Sequence, residues 1–150
     1  MTIAQHLATI DRLCFEEFPR EHGAPAGSYG GPGGPGFHVV ELERSAGSAG
    51  GRHGEGEEAE QFEAHREALA ERLTDRWGEP AWMSLDGVFL RAQLGDERIP
   101  EPWASLGSHM RNAEVWQVNG TSRWVALGVS RLGEGLEFRL LAVITEIDPP

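Results

Sequence analysis

The chain of 150 residues is long enough for one domain with its own hydrophobic core. Its net charge of −11 argues against binding to nucleic acid or to an anionic membrane, since both favour a positive protein surface. The single Cys14 excludes an internal disulfide, and the lack of any lysine excludes Schiff-base and P-loop chemistry.

The composition also indicates a source and a compartment. All basic residues are arginine, and Ala and Gly are abundant, which is typical of a GC-rich bacterial genome. No apolar run approaches the roughly 18 residues of a membrane helix, and Met1 to Phe18 lacks the pattern of a signal peptide. We therefore expect a cytoplasmic protein.

The first predicted element is an amphipathic helix from Thr2 to Phe18, ended by Pro19. Thr2 and Gln5 fit a capping box. One face carries apolar residues at helical spacing, and we expect Cys14 to be a small buried hydrophobe on it. This stripe consists of Ile3, Leu7, Ile10, Cys14 and Phe18.

Two Gly-rich segments, 23–36 and 45–56, are predicted to be flexible, with a strand at Phe37–Leu42 between them. Residues 31–36 match the glycine spacing G-x-G-x-x-G of the dinucleotide-binding motif. That fingerprint must follow a strand and open a helix, whereas here two prolines remove amide donors and a strand follows. We therefore expect no nucleotide site.

A second helix is predicted from Glu57 to Trp77, with Phe62, Leu69 and Leu73 on its apolar face. Its first residues include Glu57, Glu58 and Glu60, whose negative charges are favourable near the positive, N-terminal end of the helix dipole. Between residues 41 and 75, ten acidic residues and four arginines give a net charge of −6. This acidic region permits a basic protein partner.

The segment Ser84–Leu94 fits the periodicity of a strand and that of a helix. We favour a strand, because apolar residues alternate at Val88, Leu90, Ala92 and Leu94. A short helix is predicted at Trp103–Met110, packed under the C-terminal strands.

The last third of the chain predicts a three-stranded meander over 114–118, 121–131 and 136–147. Asn119-Gly120 is a strong signal for a two-residue hairpin turn, and Leu132–Gly135 provides a four-residue loop. This register pairs Trp116 with Arg123, as a cation–π pair, and Arg131 with Leu136.

Alternation along these strands predicts a core face with Trp116, Leu127 and Phe138. The opposite face has a polar end and an apolar end. Two interpretations of the apolar end stay open: a helix or loop covers it, or it is an exposed contact patch. Its residues are Val115, Trp124, Leu141 and Val143.

Together these elements predict an α+β fold in a single domain spanning residues 1–150. An antiparallel sheet of four or five strands, including the C-terminal meander, carries two long helices packed on one face. Six histidines and one cysteine form none of the spacings of zinc or catalytic motifs, so we expect no metal, no cofactor and no catalytic residues.

In size, acidity and layout the chain resembles the small cytoplasmic immunity or inhibitor proteins found beside bacterial toxins. This resemblance implies a non-catalytic domain that binds a basic protein. The predicted contact residues are Trp124, Leu141, Val143, Val115, Glu57, Glu58 and Glu60. The alternative is a small-molecule pocket similar to that of the NTF2-like fold, with Ala126 and Gly128 beside Trp124; an enzyme is a lesser alternative.

Overall fold

A six-stranded antiparallel sheet organises the chain in the computed structural model, which describes residues 3–18, 33–34, 36–44, 55–95, 99, 103–106, 110–132 and 137–149. The strands are β1 (Gly33–Gly34), β2 (Phe37–Arg44), β3 (Ala81–Ser84), β4 (Asn112–Gln117), β5 (Trp124–Leu132) and β6 (Glu137–Thr145), in the order β1-β2-β6-β5-β4-β3. The helices are α1 (Ile3–Leu13), α2 (Glu55–Trp77), α3 (Leu85–Leu94) and α4 (Trp103–Leu106).

This architecture confirms the predicted α+β class and the C-terminal meander. Five strands have four residues or more, and the two-residue β1 adds a sixth strand within the Gly-rich segment 23–36. Apart from Gly36, the remainder of that segment and most of 45–56 lie outside the described residues. Within the described chain, no helix combines the length and the apolar character needed to span a membrane.

Helix α2 ends at the predicted Trp77 but begins two residues before the predicted Glu57, within the segment predicted to be flexible, and α1 ends five residues before the predicted Phe18. The chain leaves the helix through two tighter turns, in which Phe15 donates to Arg12 O and Glu16 donates to Leu13 O. Phe18 then packs on the ring of His38 and lies 4.1 Å below the guanidinium carbon of Arg123. The predicted pairing of Arg123 with Trp116 is therefore wrong.

The strand favoured for Ser84–Leu94 is also wrong, because the strand β3 ends at Ser84 and α3 occupies 85–94. Leu85 is fully buried at the start of this helix, while Leu90 and Leu94 are largely exposed. The alternating residues Leu90 and Leu94, which suggested a strand, are therefore not buried. A short apolar segment of this kind fits the periodicity of a helix as well as that of a strand. The short helix at Trp103 is confirmed as far as Leu106, and residues 107–109 lie outside the description.

Both hairpins of the meander are shifted by two residues from the predicted register. Trp116 faces Val125, and Arg131 faces Phe138. The first shift arises at Val118, whose carbonyl accepts bonds from the amide and the hydroxyl of Thr121. This contact closes a turn over Asn119-Gly120, with Gly120 at φ 77°, and leaves four loop residues before Arg123 pairs with Val118.

A shift of two residues keeps every side chain on its predicted face. One face of the sheet packs under α1 and α2, as predicted, in a core that includes Trp116, Leu127 and Phe138. The other face packs under α3 and α4 in a second cluster. The covered-face interpretation is therefore confirmed, since the sheet lies between two long helices and two short ones.

A β-bulge in β2 places consecutive residues on the same face. The register of β2 against β6 shifts between Glu41 and Glu43. Leu42 joins the core under the helices, and Glu43 also points to that side, where it contacts α1 and α2. A regular strand would have turned Glu43 to the opposite face.

Candidate functional site

An open groove of about 450 Å³ lies between α2 and the edge strand β3. Its lining is dominated by charged side chains, and we call it the acidic groove. The lining residues are Arg66, Glu67, Ala70, Glu71, Thr74, Asp75, Trp82 and Glu114.

The groove forms where the helix layer stops short of the sheet edge. Helix α2 packs against β4, β5 and β6. Gly78, at φ 87°, and Pro80 end the helix and reverse the chain into β3. Trp82 faces Glu114 across the β3–β4 pair, which places its indole on the side of α2 but beyond the cover of that helix. Trp82 is consequently 64% exposed.

A row of four carboxylates follows one side of α2 at four-residue spacing, namely Glu63, Glu67, Glu71 and Asp75. Residues at this spacing are neighbours on the helix surface, and each like-charged pair destabilises the helix by about 0.2–0.5 kcal/mol. The row therefore weakens the free helix and strengthens the negative potential of the groove.

Arg66 neutralises only one end of this row. Its guanidinium donates to Glu63 at 2.8 Å and also to Glu114, which links α2 to β4. Within the described residues, no ion pair joins Glu67, Glu71 or Asp75, which are all exposed. The lining carries four carboxylates and one guanidinium, so its net charge is −3.

The groove can hold a cation but has few of the features of a small-molecule pocket. A guanidinium or ammonium group seated on the Trp82 ring would gain about 0.5–1 kcal/mol at an exposed site, in addition to its attraction to the carboxylates. Pockets for small molecules are mostly enclosed and apolar, whereas only Ala70 and Trp82 are apolar here. The geometry suits side chains presented by a protein.

The predicted contact patch lies inside the molecule. Val115, Leu141 and Val143 are at most 8% exposed, because Leu85 of α3 and Trp103 and Leu106 of α4 pack over them. Trp124 is half-buried and donates its Nε1–H to Asp148 at 3.1 Å. The exposed-patch interpretation of these four residues is therefore wrong.

The predicted acidic contacts lie on the same helix as the groove. Glu60 is exposed and lies two turns before Glu67, on the same side of α2. Glu57 and Glu58 lie in the first turns of α2, but their side chains are outside the described part of the chain. Their contribution to binding stays a prediction.

The cavity predicted beside Ala126 and Gly128 is filled. A Cβ atom added to Gly128 would lie 2.5 Å from Sδ of Met110 and 3.0 Å from the carbonyl oxygen of Asn112. Met110, Ala126 and Val143 belong to the same buried cluster. The structure therefore offers no space for a ligand at this position.

A second polar cluster joins the helices to the sheet. Glu43 contacts His6 Nε2 at 3.1 Å through one oxygen and His65 Nδ1 at 2.9 Å through the other. His6 is buried, and His65 is half-exposed. Among the described residues, no group of three or more His, Cys, Asp or Glu side chains could hold a metal ion.

Sequence reasoning missed the residues of the acidic groove, although part of the signal was present. The four-residue spacing from Glu63 to Asp75 is visible in the sequence and marks one side of a predicted helix. The exposure of Trp82 was not visible, because it depends on where α2 crosses the sheet.

In the part of the chain that the structure describes, the fold and the groove together define an α+β protein with an acidic groove beside the edge strand β3. No protein-family model, no curated protein and no solved structure matches the chain.

Proposed function

We propose that this chain is a small, cytoplasmic, non-catalytic protein of the immunity or inhibitor type, which binds a basic protein partner through the acidic groove. The observation that carries the proposal is the row Glu67, Glu71 and Asp75 facing the exposed indole of Trp82. The carboxylates, which form no ion pair among the described residues, supply long-range attraction. The exposed tryptophan supplies a short-range anchor.

The energetic cost of the site supports a role in binding. Like charges at this spacing destabilise α2, and an exposed tryptophan contributes little to the core. Tryptophan is enriched among the residues that dominate binding energy at protein interfaces. The net charge of −11 adds a long-range field that speeds the encounter with a basic protein.

Affinity purification at low ionic strength, followed by titration calorimetry with the recovered protein, tests the proposal. The variant Glu67→Gln/Glu71→Gln/Asp75→Asn should weaken binding at least about tenfold and reduce its salt dependence, because the attraction is electrostatic. Trp82→Ala should weaken binding by a similar factor.

The matched control neutralises three exposed acids away from α2 and β3, Glu16→Gln/Glu17→Gln/Glu146→Gln. It changes the net charge by the same amount and should preserve most of the affinity. Equal loss in both triple variants would show that only the overall charge matters and would contradict a site in the groove. The variant Glu57→Gln/Glu58→Gln/Glu60→Gln measures how far the contact extends along α2.

A further inference from the structure

Among the strands of the described residues, β3 lies at one edge of the sheet, beside the acidic groove. It pairs with β4 on one side, and it is the last strand in the sheet order. Natural sheets usually protect such edges with charged residues, proline or bulges. Residues 81–84 contain none of these devices, although Pro80 precedes them, and Ala81, Trp82 and Ser84 are exposed.

The hydrogen-bond pattern shows which backbone groups point outward. Leu85 donates to Arg111 O at 2.8 Å, which continues the antiparallel register of β3 with β4. Since hydrogen-bonded and non-hydrogen-bonded pairs alternate, Met83 is bonded to β4, while Trp82 and Ser84 direct their N–H groups away from it. Trp82 also directs its carbonyl outward.

We infer that β3 accepts an extended, basic segment of the partner protein as an additional strand, with its cationic side chains in the acidic groove. This inference rests on the proposed function and adds the mode of binding. Main-chain bonds to Trp82 and Ser84 would supply affinity, and pockets for alternate side chains would supply specificity, as in other cases of strand addition.

The groove determines the chemistry of the added strand. Alternate residues of an incoming strand lie on the same side of the sheet as Trp82 and therefore point toward α2. That side presents Glu67, Glu71 and Asp75, so arginine or lysine at every second position fits the charge. A second copy of this chain fits poorly, because its own net charge of −11 opposes the approach.

A synthetic peptide in which arginine alternates with valine is the probe, and the same peptide with methylated backbone nitrogens is its control. Both have the same charge, but the methylated form cannot donate main-chain bonds. Calorimetry at low ionic strength should show at least about tenfold weaker binding of the methylated peptide, because several hydrogen bonds are lost together. Equal affinities would overturn strand addition while leaving electrostatic binding in the groove intact.

Amide hydrogen exchange gives a readout that does not depend on a variant. The amides of Trp82 and Ser84 should exchange quickly in the free protein and become protected by the peptide, whereas Met83 should be protected in both states. Protection that spreads along α2 without reaching Trp82 and Ser84 would overturn the inference. If neither peptide binds, the inference of strand addition is wrong, whereas the proposed function is decided separately by the binding of the recovered partner protein.

The variant Ser84→Pro removes one outward N–H at an edge position where proline is tolerated, and Ser84→Ala retains it. The proline variant should bind the unmethylated peptide at least about threefold more weakly than the alanine variant, with both melting cooperatively. Equal binding by the two folded variants would contradict the inference. Sedimentation showing self-association that Ser84→Pro abolishes would assign the edge to a second copy instead.

Discussion

His6 of α1 and Glu43 of β2, 37 residues apart in the chain, lie in contact at 3.1 Å. The other oxygen of the same carboxylate contacts His65 of α2. One side chain of the sheet thus binds both long helices, and the buried His6 ring has its polar partner there.

Replacing Glu43 should therefore destabilise the fold. We expect Glu43→Leu to lower the free energy of unfolding by about 1–3 kcal/mol, because it leaves the buried His6 nitrogen without this partner. Urea unfolding measures the loss. The control Glu41→Gln affects more exposed ion pairs and should cost less than about 1 kcal/mol. Equal losses in the two variants would contradict a special role for Glu43.

Gly128 is required by close packing against Met110 and the carbonyl of Asn112. Gly128→Ala should cost about 1–3 kcal/mol, because the added methyl group overpacks a buried site. Gly87→Ala, in α3, is the control. A Cβ atom at this position would lie 4.0 Å from Ser84 Oγ, which is an ordinary contact distance. That change should stabilise the protein by about 0.4–1 kcal/mol, since it restricts the unfolded chain. Thermal unfolding of both variants checks the opposite signs.

Truncation of two tryptophans to alanine should change the stability of the fold by very different amounts. Trp116 is 1% exposed and donates to Thr74 Oγ1 at 3.3 Å, so Trp116→Ala should cost about 3–5 kcal/mol. Trp82 is 64% exposed, and Trp82→Ala should change stability by less than about 0.5 kcal/mol. Chemical denaturation distinguishes them. A large loss for Trp82→Ala would mean that this residue supports the fold.

His38 should make stability depend on pH. Burial lowers the pKa of its ring below the ordinary value of 6.5, and the Arg123 guanidinium acts in the same direction, against the opposing effect of Glu16. Below that ordinary value the unfolded chain takes up the proton more readily than the folded one. Stability contributed by this group is therefore complete above about pH 7 and falls as the solution is acidified through the lowered pKa.

The variant His38→Phe isolates this effect, because it preserves a ring against Phe18. Its unfolding free energy should decline less than that of the unaltered protein between roughly pH 7.5 and roughly pH 5. Parallel declines would assign the pH dependence to other groups.

Cys14 should react slowly with alkylating reagents while the protein is folded. Burial, together with the charge of Asp11, raises the pKa of its thiol from 9.0 to about 11. Two pKa units reduce the thiolate fraction about a hundredfold, and the side chain is only 2% exposed. Iodoacetamide labelling followed by mass spectrometry, with and without urea, measures the difference. Rapid labelling of the folded protein would contradict this environment.

The faces of the sheet could be predicted from the sequence, whereas the register could not. Leu127 and Phe138 reach the predicted core because alternation depends only on the parity of the register. The register itself depends on how Thr121 bonds back to Val118, a local contact that the Asn119-Gly120 signal does not specify. The cation–π partner of Arg123, Phe18, was missed because α1 ends before this residue, which the helical spacing had placed on the apolar stripe of the helix.

The candidate site was predictable only in its charge. The carboxylates of Glu67 and Glu71 follow from helical spacing, but Trp82 becomes exposed only because α2 crosses the sheet short of β3. The buried Val115 and Val143 show the converse. Their strand pattern was correct, but α3, one of the two helices that cover them, lies in a segment whose periodicity favoured a strand.

The bulge in β2 lets one strand supply a core residue and a polar anchor side by side. Leu42 fills the core and Glu43 binds the histidines because one extra residue stands between the positions opposite Leu141 and Leu140. Deleting Leu42 would restore regular pairing and leave Glu43 opposite Leu140, on the same side of the sheet. The extra residue therefore adds an apolar side chain to the core without displacing the carboxylate that holds both long helices.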